Sequence, residues 1–566
     1  MKKSKLIILS ALVVTLLVVF SACGNGGGGG AADGGGAAAG GAAAGNGAGA
    51  AADFVRTAWN QPFPETVTVT IANDEMAHAI FPDGHDIFYT LWVSRWYELY
   101  NVNVETIWVS ADYTLQMNLA IAAGDLPDMF ASNAVQFQQL LDANLVEDIT
   151  DTLQWLSPAT QRILDDERLV FDTAMRDGRY FSIPRLHYGF ITQAPYFWIR
   201  RDWYEQIGSP TINTIADLEN VMQQMMDTFD EVEFPMVMQD GMTSFWYGQP
   251  MFHSMAHIGG QRMWIDAPDG SIMSAFEAPE FVESLRTFRR WYENGWIRAD
   301  FATNDWDGMN ADIVSGRSAM AVGQNWRGWG WNSVVEEFGP DSYLIVLPMP
   351  TIDGRPAQIP IHFANYAYDV VRRGFEIPEI LPILTSDYVY VLTEAPITGS
   401  MTPDEFLPFN LGDMHHTAGP FRVVFPHYAD VVEVLNAMDA YHAGTFDDFQ
   451  FTSGYAVIYV EEIRRWVSDG EMPGLGRYQQ MGHRQSSLAM GVQYEDNGQF
   501  RYTRQWGPNP QEVLDFASIT DSIIEEGVTR IIMDLDPLEH WDVVLEDWRQ
   551  AGGNAMTEAV NRYFGN

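Results

Sequence analysis

The sequence has almost no lysine and a single cysteine. Of its 32 basic residues, Lys2, Lys3 and Lys5 are the only lysines, and the other 29 are arginines. Acidic residues number 75, which gives a formal net charge of −43 at pH 7. This charge argues against nucleic-acid binding through a basic stripe and against electrostatic binding to anionic membranes. Because arginine stays charged at high pH, the composition reflects either adaptation to alkaline or saline surroundings or genomic codon bias.

The cysteine, Cys23, follows the features of an export signal. A basic start, MKKSK, precedes an apolar run at 6–20 that is short for a membrane span and suited to a signal peptide. The run ends in FSAC, which resembles the bacterial lipoprotein signal, with Phe20 where leucine is usual. We therefore expect a lipoprotein signal peptide at 1–22. We expect a lipidated Cys23 followed by a Gly/Ala-rich tether, together covering 23–52, and no disulfide.

The chain after the tether begins with alternating strand and helix patterns. TVTVTIA at 66–72 alternates apolar and polar residues as a half-buried strand does. A helical stretch near 87–100, a strand at 102–110, a helix near 115–123 and a short strand at 126–130 follow. The β-α-β-α-β order predicts an α/β fold with a parallel sheet covered by helices.

The same alternation returns further along the chain. Residues 214–226 open with a capping box and carry an apolar helix face, and 234–239 has the composition of a strand. A helix is predicted over 278–296 and a strand over 318–323. These elements predict a second α/β lobe.

Seven segments follow one another in a characteristic order along the chain: IAAGDLPDMF (121–130), LLDANLVEDITD (140–151), MRDGRYFSIPR (175–185), YFWIRRDWYEQIG (196–208), WYENGWIRADF (291–301), SGRSAMAVGQNW (315–326) and PLEHWDVVLEDWRQAGGNAMTEAVNRYF (537–564). Together they resemble one family, the extracellular sugar-type solute-binding proteins of ABC importers. Within this family the chain resembles the long lipoproteins of Gram-positive bacteria.

The resemblance implies a two-lobed periplasmic-binding-protein-like fold of type II. Two α/β lobes joined by hinge strands would close around a solute and present it to the permease subunits of an ABC importer. We expect lobe 1 at 53–184 plus about 360–450, and lobe 2 at 185–359 plus about 451–566. The size of the mature chain and its 19 tryptophans, together with the family resemblance, favour an oligosaccharide over a monosaccharide as ligand, with a peptide or another solute as the alternative. We expect a monomer that the lipid on Cys23 attaches to the extracellular face of the cell membrane.

Ligands of open α/β sheets bind beyond the carboxyl ends of the strands, so the loops there supply candidate contacts. These are Asn73, Asp74, Glu75, Ser132, Asn133, Gln324, Asn325, Trp326 and Arg327. The resemblance implies that Trp326 stacks on a sugar ring, less directly Trp329, while Trp331 is expected in the core. Arg327 would bind either a ligand carboxylate or a neighbouring acidic side chain.

Further candidates lie near the predicted crossings between lobes. Trp246 and Tyr247 follow the strand at 234–239 and face either the cleft or the core. Arg185 and His187 lie at the first crossing, and the second supplies His362, Asn365 and Tyr366. A structural role remains the alternative for each.

Other functions and a metal are less well supported by the sequence. An extracellular glycosidase needs two carboxylates about 5–10 Å apart, and so many acids provide such pairs by chance. A surface structural or adhesive protein is a third possibility. No GxSxG, HExxH or Walker motif occurs. NDWDG (304–308) and DAPDG (266–270) fail the twelve-residue calcium pattern, so we predict neither a metal nor a cofactor.

Overall fold

The structure, a computed structural model, describes residues 54–75, 81, 83–241, 255–257, 263–361, 365–402, 405, 409, 423, 425–507 and 509–565. Cys23 and the tether lie outside these residues, as do Trp246, Tyr247 and His362. The helices and strands below all belong to one compact unit, which begins at residue 56. In the described part of the chain, no helix is both long and apolar enough to cross a bilayer.

The strands are short, and most pair in twos and threes. Their bounds are β1 (Val67–Asp74), β2 (Val102–Ser110), β3 (Met129–Ser132), β4 (Met175–Arg176), β5 (Arg179–Tyr180), β6 (Ile183–Leu186), β7 (Tyr196–Arg200), β8 (Trp264–Asp266), β9 (Ile272–Ser274), β10 (Met320–Gly323), β11 (Leu344–Leu347), β12 (Ile359–Ile361), β13 (Asn365–Val371) and β14 (Phe500–Tyr502).

Helices account for more of the described chain than strands do. Their bounds are α1 (Leu91–Tyr100), α2 (Tyr113–Ala123), α3 (Ala134–Asp142), α4 (Pro158–Asp166), α5 (Arg168–Phe171), α6 (Arg201–Gln206), α7 (Ile215–Thr228), α8 (Phe281–Glu293), α9 (Trp306–Val314), α10 (Arg327–Gly330), α11 (Ser333–Phe338), α12 (Ile380–Thr393), α13 (Ala395–Thr398), α14 (Tyr428–Ala443), α15 (Gly454–Asp469), α16 (Met472–Arg477), α17 (Ser487–Asp496), α18 (Gln511–Ile532), α19 (Trp541–Trp548) and α20 (Asn554–Phe564).

The first β-α-β unit forms as predicted. β1 and β2 are parallel, with Val67 opposite Val102 and a register shift between Ile71 and Ala72. The intervening helix α1 begins at the N-cap Thr90, whose side chain accepts a bond from a backbone N–H. The alternating pattern thus identified both strands correctly, because one face of each strand is buried.

The third strand does not extend this parallel sheet, so that part of the prediction was wrong. β3 pairs antiparallel with β13, which also pairs antiparallel with β6. The side chain of Asp128, which directly precedes β3, links β3 to β1 by hydrogen bonds. Its Oδ2 accepts bonds from the backbone N–H of Thr70 at 2.9 Å and from the Thr70 hydroxyl at 2.7 Å. The pairing partner lies more than two hundred residues further along the chain, beyond the reach of local pattern.

The second sheet is antiparallel and has the order β10–β7–β11. All five residues of β7 are buried, because its apolar run packs on both faces. The strand predicted at 318–323 is confirmed as β10, whereas the one predicted at 234–239 is reduced to a bridge between Met236 and Met320. The capping box of Thr214 and Asp217 is confirmed at the start of α7.

Two large apolar cores underlie these sheets. One gathers buried residues between positions 194 and 361 and between 475 and 548. The other gathers residues between positions 63 and 191 and between 371 and 492. Separate cores are what a two-lobed chain of this length requires. The exact lobe boundaries given above stay a prediction.

Candidate functional site

An exposed indole, Trp326, lies just beyond the carboxyl end of β10. It is 39% exposed. Its ring centroid lies 5.4 Å from that of half-buried Trp306, with the two planes inclined by 40°. Trp306 is the first residue of α9, so the two rings come from separate elements. We call this pair, Trp306 and Trp326, the indole platform.

The guanidinium of Arg327 lies against both rings and out of the solvent. Its Cζ is 3.9 Å from the Trp306 ring centroid and 5.3 Å from that of Trp326. Its Nη2 donates to Oε1 of Gln239 at 3.5 Å. The side chain folds over Gly323, where an added Cβ would stand 2.7 Å from Arg327 Cγ. Since Arg327 has no exposed surface, its predicted direct contact with a ligand is at odds with this arrangement.

Hydrogen bonds hold the amino end of α9 in place beneath Trp306. The NDWDG sequence forms this helix start, and Asp305 is its N-cap, accepting a bond from the Gly308 N–H at 2.9 Å. The preceding Asn304 donates through Nδ2 to the Met238 carbonyl at 2.8 Å. The first platform ring is therefore attached to a fixed helix end rather than to a loose loop.

Gln324 and Asn325, predicted as ligand contacts, are buried. Asn325 donates through Nδ2 to the Thr192 carbonyl at 2.8 Å, and its Oδ1 accepts a bond from Gln480. The Ser487 hydroxyl donates to the Asn325 carbonyl at 3.1 Å. The amide of Asn325 thus joins the loop after β10 to the segment before β7, which is a structural role, and its contact with ligand stays a prediction.

The next two tryptophans after Trp326, Trp329 and Trp331, pack into the protein. Trp329 is half-buried, with the Arg477 guanidinium carbon 4.4 Å from its ring centroid. Trp331 is fully buried, as predicted, and donates through Nε1 to Asn310 at 3.0 Å. Its ring meets that of Trp198 edge-on at 5.7 Å. Of the three indoles, Trp326 alone is exposed.

The carboxyl end of β1 carries the polar residues predicted there. Asp74 and Glu75 are exposed, and Asn73 is half-buried. Asn73 Nδ2 donates to the Thr106 hydroxyl at 3.3 Å, and the Glu75 N–H donates to the Ser110 carbonyl at 3.0 Å. The two carboxylates therefore lie at the surface at the edge where β1 and β2 end.

A pocket beside this edge brings Asn73 and Arg185 together. Arg185 forms a two-pronged ion pair with the buried Asp369, through Nε at 2.9 Å and Nη2 at 2.7 Å. Burial raises the pKa of the nearby Tyr113, whose hydroxyl donates to the Ala131 carbonyl. The remaining pocket residues are mainly apolar: Val69, Ile71, Ala72, Trp96, Val104, Met129, Phe130, Ala131, Val370, Leu381 and Leu384.

Ser132 and Asn133 satisfy backbone groups. The buried Ser132 hydroxyl donates to the Tyr368 carbonyl at 3.2 Å. Asn133 caps α3, and its Oδ1 accepts a bond from the Gln136 N–H at 2.9 Å. Both positions therefore have structural uses that account for their residue types, and their ligand contacts stay predictions.

Strands β6 and β13 pair where the sequence placed the two crossings. Asn365 stands opposite Leu186 in this pairing. The side chains of Asn365 and Tyr366 lie outside the described residues. His187 is half-buried, with Nδ1 3.3 Å from the Thr192 hydroxyl, and burial lowers its pKa to about 4.

The lowered pKa of His187 predicts a pH-dependent contribution to stability. An unfolded histidine titrates near 6.5, so between about pH 6.5 and 4 the unfolded chain binds a proton that the folded chain does not. The contribution of His187 to the free energy of unfolding is therefore complete above about pH 6.5 and declines as the pH falls towards about 4. Urea unfolding at about pH 7.5 and about pH 5 measures the free energy of unfolding of both proteins. On lowering the pH between these values, the natural protein should lose roughly 1–2 kcal/mol more of it than His187→Gln does. A difference in the free energy of unfolding between the two proteins that is the same at both pH values would disprove this prediction.

Two aromatic clusters of the structure were not predicted from the sequence. Trp306 lies in a motif that we considered only for calcium, and nothing local indicates its contact with Trp326. Phe190, Tyr502 and Trp506 form a second cluster, with ring centroids 4.9–5.8 Å apart. Phe190 lies far along the chain from Tyr502 and Trp506, so sequence spacing gives no signal for its contact with them.

The chain is similar to known proteins in sequence and in fold. Residues 81–372 match the family model of bacterial extracellular solute-binding proteins. Lipoprotein LipO of Bacillus subtilis (strain 168) is 22% identical over 265 residues, which cover 44% of this chain and 50% of that protein. The matched region thus spans about half the length of this curated relative.

Solved structures show the same fold at low sequence identity. The alginate-binding protein AlgQ2 without calcium ion has a TM-score of 0.58 at 12% identity, covering 90% of this chain and 100% of that one. An HMO-binding, ABC-transporter-associated solute-binding protein of Bifidobacterium longum infantis has a TM-score of 0.58 at 14% identity, covering 89% of this chain and 99% of that one. FusA of S. pneumoniae, in complex with kestose, has a TM-score of 0.60 at 14% identity, covering 88% and 99%.

The fold predicted from the sequence is thereby confirmed as the two-lobed, periplasmic-binding-protein-like one. The family model spans more than half of the chain. The chain belongs to the bacterial extracellular solute-binding proteins.

Proposed function

We propose that the protein is a lipid-anchored receptor that captures a neutral oligosaccharide between its lobes and delivers it to an ABC permease. It would act as a binding protein without changing its ligand. The observation that carries the proposal is the indole platform, with Trp326 exposed at the carboxyl end of β10. An exposed aromatic face supported from beneath is suited to the apolar face of a sugar ring.

The charges around the candidate site favour an uncharged ligand. Arg185 is held by Asp369, and Arg327 has no exposed surface, so neither offers its charge to a ligand carboxylate. Asp74 and Glu75 expose acidic groups at the end of β1. An anionic oligosaccharide that reached the end of β1 would meet these groups within a chain of net charge −43.

The names of the similar structures support an oligosaccharide. One of those proteins is described as HMO binding, and another was solved in complex with kestose. AlgQ2 is described as alginate-binding, and alginate is acidic, so the fold itself does not decide the charge of the ligand. The choice of a neutral oligosaccharide for this chain therefore rests on its own arginines and carboxylates.

The anchor and the permease partner rest on the sequence and the family. Cys23 follows a basic and then an apolar segment, as in a bacterial lipoprotein, and LipO is a lipoprotein. The Gly/Ala-rich tether after Cys23 would let this protein, as a monomer, reach a permease while it remains at the extracellular face of the membrane.

A thermal-shift screen tests the ligand class. The panel contains neutral oligosaccharides, including kestose, maltotriose and xylotriose, and acidic ones, including alginate trisaccharide. A ligand at a hundredfold excess over its Kd stabilises the folded protein by about 2.7 kcal/mol, so at least one neutral oligosaccharide should raise Tm. A panel in which only acidic oligosaccharides raise Tm would overturn the choice of a neutral ligand.

A further inference from the structure

The two rings of the indole platform are not coplanar. Their planes are inclined by 40° and their centroids are 5.4 Å apart. One flat sugar ring cannot stack face to face on both rings at this inclination. Two successive sugar rings can, because a glycosidic linkage turns the plane of one ring relative to the next.

A single buried cation supports both rings. Arg327 lies 3.9 Å from the Trp306 centroid and 5.3 Å from the Trp326 centroid, measured from its Cζ. A planar guanidinium stacks on an aromatic face in a way that an ammonium group cannot. Gly323 leaves the space that this side chain occupies, and Gln239 accepts a hydrogen bond from its Nη2.

We propose that Trp306 is a second ligand-contacting ring and that Arg327 is a positioning residue for both indoles. The platform then binds two consecutive residues of an oligosaccharide, Trp326 under one and Trp306 under the next. Arg327 acts through the rings and does not touch the sugar. This inference rests on the proposed function, and it narrows the ligand to a chain of at least two sugar residues.

The first test compares ligand lengths on a Trp306 variant. Binding of the best neutral trisaccharide from the screen, and of its monosaccharide and disaccharide, is measured by calorimetric titration. Trp306→Leu should raise the Kd of the trisaccharide about 5- to 150-fold, the range expected for one lost stacking ring, and change monosaccharide binding less than threefold. The control Trp296→Leu replaces a half-buried indole that bonds Gln223, and it should leave all three Kd values unchanged.

The second test follows the orientation of the rings without ligand. We expect coupling between the two indoles, whose centroids are 5.4 Å apart, to contribute to the near-ultraviolet circular dichroism of the free protein. Arg327→Met should change this spectrum and weaken trisaccharide binding, and Arg327→Lys should restore neither, because it keeps the charge and loses the plane. Trp306→Leu should remove the same spectral feature. Restoration of both properties by lysine would show that charge alone matters and would overturn the positioning role.

The outcomes separate this inference from the proposed function. Unchanged trisaccharide binding in Trp306→Leu overturns the two-ring platform and leaves the proposed function intact. Failure of the natural protein to bind any oligosaccharide of the panel overturns the proposed function itself. If the Arg327 variants do not fold, the Trp306 measurements still decide whether the second ring contacts ligand.

Discussion

Trp326→Ala is expected to raise the Kd for a neutral oligosaccharide about 5- to 150-fold while leaving the protein folded. The reason is its exposure of 39%, since a side chain with an open face contributes little to the core and much to a ligand that covers it. Calorimetric titration measures the binding, and the thermal midpoint of the free protein measures the stability.

Trp331→Ala provides the matched control from the same stretch of sequence. Trp331 is fully buried, packs on Trp198 and bonds Asn310, so its truncation should cost about 3–5 kcal/mol of folding free energy. At a temperature low enough for Trp331→Ala to remain folded, this variant should bind oligosaccharide with nearly the natural Kd. If both variants only unfold the protein, the indole platform has no role separate from the core.

Asp387→Ala is expected to destabilise the protein by about 3–5 kcal/mol. This carboxylate is fully buried in α12 and accepts two bonds from Arg95, at 2.8 and 2.9 Å. It also accepts bonds from Trp96 Nε1 at 3.0 Å and from the Tyr100 hydroxyl at 2.8 Å. Removing the acceptor leaves the half-buried Arg95 cation and the two buried donors of α1, Trp96 and Tyr100, without this partner.

An exposed ion pair gives the comparison for this variant. Asp341 is 81% exposed and lies 3.2 Å from Arg201, so Asp341→Ala should change the folding free energy by less than about 1 kcal/mol. Urea unfolding of both variants measures the contrast. Equal and small effects would mean that α1 and α12 do not depend on the buried carboxylate.

Local patterns in the sequence predicted local structure well. Alternation at β1 and β2, the capping box of α7 and the strand β10 all concern residues within a few positions of one another. Such features depend on backbone propensity and on one buried face, both of which are visible in a short window of sequence. The recurring strand and helix patterns indicated two α/β lobes, and the resemblance to a family supplied the expectation that hinge strands join them around a ligand.

Long-range placement could not be read in the same way. β3 pairs with β13 across more than two hundred residues, and Trp306 meets Trp326 through the packing of α9 on the loop after β10. The burial of Arg327 depends on two indoles and on the space left at Gly323. A sequence that shows an arginine beside a tryptophan does not reveal which of the two faces the solvent.

The central claim is that this chain binds a neutral oligosaccharide and releases it unchanged. Calorimetric titration of the purified protein with the neutral members of the panel, followed by chromatography of the recovered sugar, tests it most directly. We predict saturable binding of one oligosaccharide per chain and recovery of the same oligosaccharide. Conversion of the sugar to shorter products, or no saturable binding to any member of the panel, would contradict the account.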